Sequence, residues 1–170
     1  WVQGSTDEFL RRVKERADQL HKITIHLHCL QTPVQKAFGL RKYGKSLVGH
    51  LDDLGLVDSN LVLGHAVYLS EEDIALLAEK DAFVTHHASC NLIMRDGIAP
   101  VYYMLKAGMN VAMGMDEKGI NDDEDPFMEM RMIYFLHRHA GISLTDCPAL
   151  SPYEVLRLAT VNGARPTGFA

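Results

Sequence analysis

Apolar and polar positions alternate over residues 23–28. Ile23, Ile25 and Leu27 fall on one side, and Thr24, His26 and His28 on the other. That period of two predicts a strand over "KITIHLHC", with one apolar face and one face carrying imidazoles. A second run, "NLVLGHAV", is apolar without interruption up to His65, as in a strand covered on both faces. "FVTHHASCN" predicts a strand running into a loop after His86 and His87, and "VAMGMDE" predicts a fourth strand.

Between these runs the pattern is helical. Ser5 and Glu8 make an S-x-x-E capping box that opens a helix through about Leu20. "VQKAFGLRKYGKSLVGHLDDLG" predicts helix with breaks near Gly39 and Gly44 and a stop at Gly55. Ser70 caps "SEEDIALLAEKDA", whose Glu71, Glu72 and Asp73 suit the positive end of a helix dipole. Pro100 stands near the first helical position of "GIAPVYYMLKAGMN". "DPFMEMRMIYFLHRHA" and "SPYEVLRLATVNGA" predict two final helices. Met104, Met109, Met113, Met115, Met128, Met130 and Met132 read as core filler. The acidic run "NDDEDP" reads as solvated capping before a helix, because it lacks the ligand spacing and glycine of a calcium loop.

Helix and strand therefore alternate about four times with no hairpin signal, which argues for parallel pairing through crossovers. Two α/β architectures fit: an open doubly wound sheet, or part of a (β/α) barrel. No G-x-G-x-x-G or phosphate loop follows a strand, which weakens a nucleotide-binding reading.

Composition narrows the picture. The chain has 170 residues, enough for one domain with a real core, taken here as residues 1–170. Hydrophobic residues make up 47% and charged residues 23%, a globular balance. A net charge of −5 with scattered Lys and Arg offers no nucleic-acid footprint. No apolar run is long enough for a bilayer, and no export signal opens the chain, so no membrane partner is expected. Cys29, Cys90 and Cys147, odd in number and irregularly spaced, suit a reducing compartment, and a cytoplasmic location is expected. Both ends, "WVQGSTDEFL" and "NGARPTGFA", are abrupt, which suggests a fragment of something larger.

The candidate chemistry lies at the ends of the strands. The first ends in His26 and His28, the second in His65, the third in His86-His87 and the fourth in Asp116. In parallel α/β proteins that rim carries the active site. A single strand-end histidine is ordinarily a satisfied structural polar group, and His87 reads that way. Alone, Asp116 would read as a helix cap. Imidazoles and a carboxylate from four strands on one rim are instead the usual ligands of zinc or iron.

At these residues the chain resembles the amidohydrolase superfamily, in the branch of cytosine, guanine and adenosine-type deaminases and triazine chlorohydrolases. The matching stretches are "ITIHLHCLQT", "GLVDSNLVLGHAVYLSEEDIALLAEKDAFVTHHASCNL", "GIAPVYYMLKAGMNVAMGMDE", "DPFMEMRMIYFLHR" and "LRLATVNGAR". The resemblance implies a parallel (β/α)8 TIM-barrel type fold, with this chain as its second half, strands five to eight. It implies one divalent ion, zinc or iron, or two. The family's first two ligands form a His-x-His pair on the first strand. His26-Leu27-His28 is not that pair, because a capped helix precedes it instead of a Pro-Gly turn. The family pattern on strand five is His-x-x-Glu-Thr. Placing Thr32 on that Thr makes His28 the ligand and puts Gln31 where Glu is expected. The alternative takes His26 as ligand and sets Cys29 at the Glu position.

The resemblance thus implies His28, His65 and Asp116 at the metal. It gives Asp116, His65 and Gln31 the catalytic work, and His86, Gln31 and Asn91 the substrate contacts. Glu129 and Arg131 are expected to make a structural contact between the last helices. Gln31 cannot carry a proton as Glu does, since an amide does not titrate near neutral pH. The implied activity is hydrolysis of C–N or C–halide bonds of a nitrogen heterocycle by metal-activated water. The other reading is a non-catalytic half-barrel that associates with itself or with a missing half. The expected partners are a small heterocyclic substrate and further copies of the chain in a homo-oligomer.

Overall fold

The computed structural model describes residues 1–21, 23–116, 124–138, 149–167 and 169. Residues 121–123 of the acidic run, and Cys147, lie outside the described residues. The first helix, α1 (Asp7–Gln19), is capped by Thr6 and not by Ser5: the Thr6 hydroxyl accepts from Phe9 N, while Ser5 Oγ donates to the Trp1 carbonyl. The cap falls one residue later than the S-x-x-E spacing sets it, because the adjacent Thr6 also caps and its hydroxyl is the one that reaches Phe9 N.

Four strands follow: β1 (Ile25–Cys29), β2 (Leu61–His65), β3 (Phe83–His86) and β4 (Asn110–Met113). They form one parallel sheet in the order β1-β2-β3-β4. Each crossover is helical. α2 (Pro33–Tyr43) and α3 (Leu47–Asp53) join β1 to β2, and α4 (Glu71–Glu79) joins β2 to β3. α5 (Ala88–Ile93) and α6 (Val101–Lys106) join β3 to β4. α7 (Pro126–Leu136), capped by Asp125, α8 (Pro152–Ala159) and α9 (Val161–Ala164) come last.

Three expectations are corrected. α2 runs through Gly39 without a break and ends at Gly44, whose φ of 69° suits glycine. Gly39 is instead a point of close approach, where a Cβ would lie 3.1 Å from Leu47 N. The stretch after β3 is the helix α5 and not a loop. "SPYEVLRLATVNGA" is two helices, because Thr160 takes φ −126° and ψ −90° between them.

The pleat assigns the two faces. Leu27, Leu63, Val84 and Val111 share the face that packs on the helices, where Leu51, Leu77 and Met104 are fully buried. Each such side chain contributes about 1.5–3 kcal/mol by leaving water. The opposite face carries His26, His28, Gly64, Thr85 and Ala112. No helix among the described residues is long and apolar enough to cross a membrane.

The cap assignment is open to test. Thr6→Ala is expected to cost about 1 kcal/mol in urea unfolding, while Ser5→Ala stays within about 0.5 kcal/mol of the parent.

Candidate metal centre

The parallel register sets the site. It pairs His28 with Gly64 and Cys29 with His65. By alternation His65 would share the helix side with Cys29. However, His65 and Ala66 both have positive φ, 71° and 50°, a conformation rare for such residues. The turn brings the His65 ring between His28 and His87, with ring centroids 4.9 Å and 4.7 Å away. Asp116, just past β4, also takes positive φ, 64°. Strain of this kind is a common companion of functional sites.

One ligand atom each from His28, His65 and Asp116 can be chosen so that all three lie within 4.8 Å of one another. His65 Nε2 is 3.5 Å from Asp116 Oδ2. Ligand atoms around a tetrahedral zinc, at bonds of about 2.0–2.1 Å, stand about 3.3 Å apart. The donor set therefore fits a divalent ion after a small contraction.

The protonation states suit the same purpose. Burial, then the His65 charge, pushes His28 below the usual imidazole range and leaves its ring neutral. Burial raises Asp116, but the Cys90 hydrogen bond, and after it the neighbouring His87, His65 and His28 rings, outweigh burial and hold the carboxyl below its usual value.

A further tier holds these groups. Asn91 Oδ1 accepts from His65 Nδ1 at 2.9 Å, which leaves Nε2 free to face Asp116. Cys90 Sγ donates to Asp116 Oδ2 at 3.1 Å. Its thiol is pushed up to about 12, first by burial and then by Asp116, with Asp96 and Glu129 adding to the rise. Burial likewise drives Cys29 up, so it stays a thiol in the core. Glu129 is fully buried and accepts from Ser89 N at 3.0 Å, so its contact runs to α5 and not between the last helices.

The other expected residues fall elsewhere. His86 lies on the helix side of β3, fully buried, with Nε2 3.2 Å from His137 Nε2. Its neighbour His87, read from sequence as structural, reaches the cluster instead. Burial, then the His65 charge, lowers His87 to about 3. Its Nε2 lies 2.9 Å from the Thr85 hydroxyl. Gln31 is buried, and its amide donates to Asp96 Oδ2 at 2.8 Å. His26 is the more exposed of the first pair and lies outside the three-residue group.

Parallel strands that bring imidazoles and a carboxylate together at their C-terminal ends define an α/β protein with a rim-borne candidate metal centre. The chain belongs to the amidohydrolase family, whose model matches residues 1–170. It is 39% identical over 163 residues to the 5'-deoxyadenosine deaminase of Methanosarcina mazei, covering 96% of this chain and 37% of that protein. It superposes with a TM-score of 0.88 on an adenosine deaminase from Xanthomonas campestris with bound zinc. That match is 36% identical and covers 96% of this chain and 36% of the other. Atrazine chlorohydrolase from Arthrobacter aurescens TC1, complexed with zinc, gives the same TM-score at 26% identity, covering 96% and 36%. The chain thus spans 37% of the length of the curated relative above.

Gly114 leaves the room that His87 fills: a Cβ there would lie 2.3 Å from His87 Cε1. Gly114→Ala is expected to drive the ring off His65 and cost about 1–3 kcal/mol, read by thermal unfolding and by histidine ring NMR shifts.

Proposed function

We propose that residues 1–170 form one domain, the second half of a (β/α)8 hydrolase barrel. In this reading His28, His65 and Asp116 hold one divalent ion, zinc or iron. The reaction is hydrolysis of a C–N bond on a nitrogen heterocycle. The observation that carries the proposal is the meeting of three ligand atoms, from three strand ends, within 4.8 Å. Relatives favour an amino-heterocycle over a chlorinated one, at 39% and 36% identity for the deaminases against 26% for the chlorohydrolase.

When bound, such an ion lowers the pKa of water and polarises the substrate. The rest is the work of the chain. His28 presents a neutral ring nitrogen, and Asn91 turns His65 so that its Nε2 faces the same point. Asp116, ionised at neutral pH, takes a proton from the attacking water and passes it to the leaving amine, which departs as ammonia as the C–N bond breaks. Cys90 keeps its proton and steadies the Asp116 carboxylate. His87 lines the pocket in place of His86. Gln31 binds and does not carry protons. Turnover, in this reading, belongs to a full barrel of the relatives' length, and metal binding to these 170 residues.

Zinc titration of the chain by calorimetry tests the proposal. One ion per chain is expected, with His65→Ala and Asp116→Ala abolishing uptake. Asn91→Ala is expected to weaken it about 10–100-fold. Absence of uptake, or uptake indifferent to His65 and Asp116, would overturn it.

A further inference from the structure

Asp96 is a buried carboxylate that forms no ion pair with a described Lys, Arg or His. Burying a charge with no opposite charge beside it is costly, and such a group is kept only for a reason. Its Oδ2 accepts from Gln31 Nε2 at 2.8 Å, and its Oδ1 takes no hydrogen bond from a described residue.

The backbone around Asp96 is built to hold it on the rim. The Asp96 amide donates to the Asn91 carbonyl at 2.8 Å, and Tyr68 Oη donates to the Asp96 carbonyl at 2.6 Å. Arg95 at φ 59° and Gly97 at φ 120° fold the chain sharply on either side. A Cβ on Gly97 would lie 3.1 Å from Val67 Cγ1. Asp96 is thereby tied to the segments after β1, β2 and β3 together. Its charge also reaches Cys90, whose thiol is bonded to Asp116. Gln31, the residue that the resemblance sets where the family pattern has Glu, is the residue bonded to it.

We infer that Asp96 is the ligand-reading carboxylate of this site, its free Oδ1 accepting an N–H of an amino-substituted nitrogen heterocycle, with Gln31 as the positioning residue that holds it. The carboxylate absent from position 31 is supplied from position 96, across a single hydrogen bond. The inference rests on the heterocycle-binding reading above and names the group that recognises the ligand.

The test is calorimetric titration of the chain with adenosine as probe, with and without zinc. Asp96→Asn puts a donor or a neutral acceptor where the carboxylate stood. It is expected to weaken adenosine roughly 10-fold or more, the worth of a hydrogen bond to a charged group, with zinc stoichiometry and circular dichroism unchanged. Gln31→Glu sets two carboxylates within one hydrogen bond, where both cannot ionise together. Adenosine binding is then expected to become pH-dependent between pH 5 and 8, a change that a merely structural Gln31 would not produce. Adenosine binding unaltered in Asp96→Asn overturns the inference, and so does a zinc-loaded parent chain that takes up no adenosine. Loss of zinc binding alone, with the Asp96→Asn effect intact, counts against the metal centre and not against Asp96.

Discussion

The ladder between β1 and β2 sets Cys29 beside His65 and His28 beside Gly64, and the geometry of the rim follows from that register. A slip of one residue would exchange the faces of every side chain on a strand. His28 would then turn to the helices and Cys29 to the open face. The register is held because Ile25 and Cys29 are buried on the helix side and Leu61, Val62 and Leu63 are buried throughout β2. The apolar packing of the crossover helices is thus what fixes the placement of the imidazoles.

The short helix α5 adjusts what the sheet delivers. Its residues Ala88–Asn91 are all buried, and three of them reach out in different directions. Asn91 orients His65, Cys90 steadies Asp116, and the Ser89 amide takes the buried carboxylate of Glu129 on α7. One element therefore ties β2, the end of β4 and a distant helix into one rigid tier. Such second-tier hydrogen bonds hold the His65 ring and the Asp116 carboxylate in fixed orientations.

Much of this was legible in the sequence, because it rests on periodicity. The alternation in "ITIHLHC" gave β1 and its imidazole face, and the continuous apolar run gave the doubly covered β2. The location of the candidate chemistry followed from the rule that parallel sheets work at their C-terminal rim. What alternation alone could not give was the side on which each strand-end residue falls. His65 escapes its parity through a left-handed backbone, and no composition signal announces that in a Leu-Gly-His-Ala stretch. The same parity, applied strictly, sends His86 to the helices and leaves His87 to the cluster. The Gln31–Asp96 bond joins residues 65 positions apart and has no local signature. Thr6 in place of Ser5 is a plain near-tie between neighbouring caps.

The central claim is that two imidazoles and one carboxylate of this chain form a metal centre. X-ray absorption at the zinc edge of the zinc-loaded chain tests it most directly. Scattering from two imidazole rings and a carboxylate oxygen at about 2.0–2.1 Å, and no sulfur, is expected. A sulfur shell at about 2.3 Å, which would bring Cys90 into the coordination sphere, or an oxygen-only shell without imidazole scattering, would contradict it.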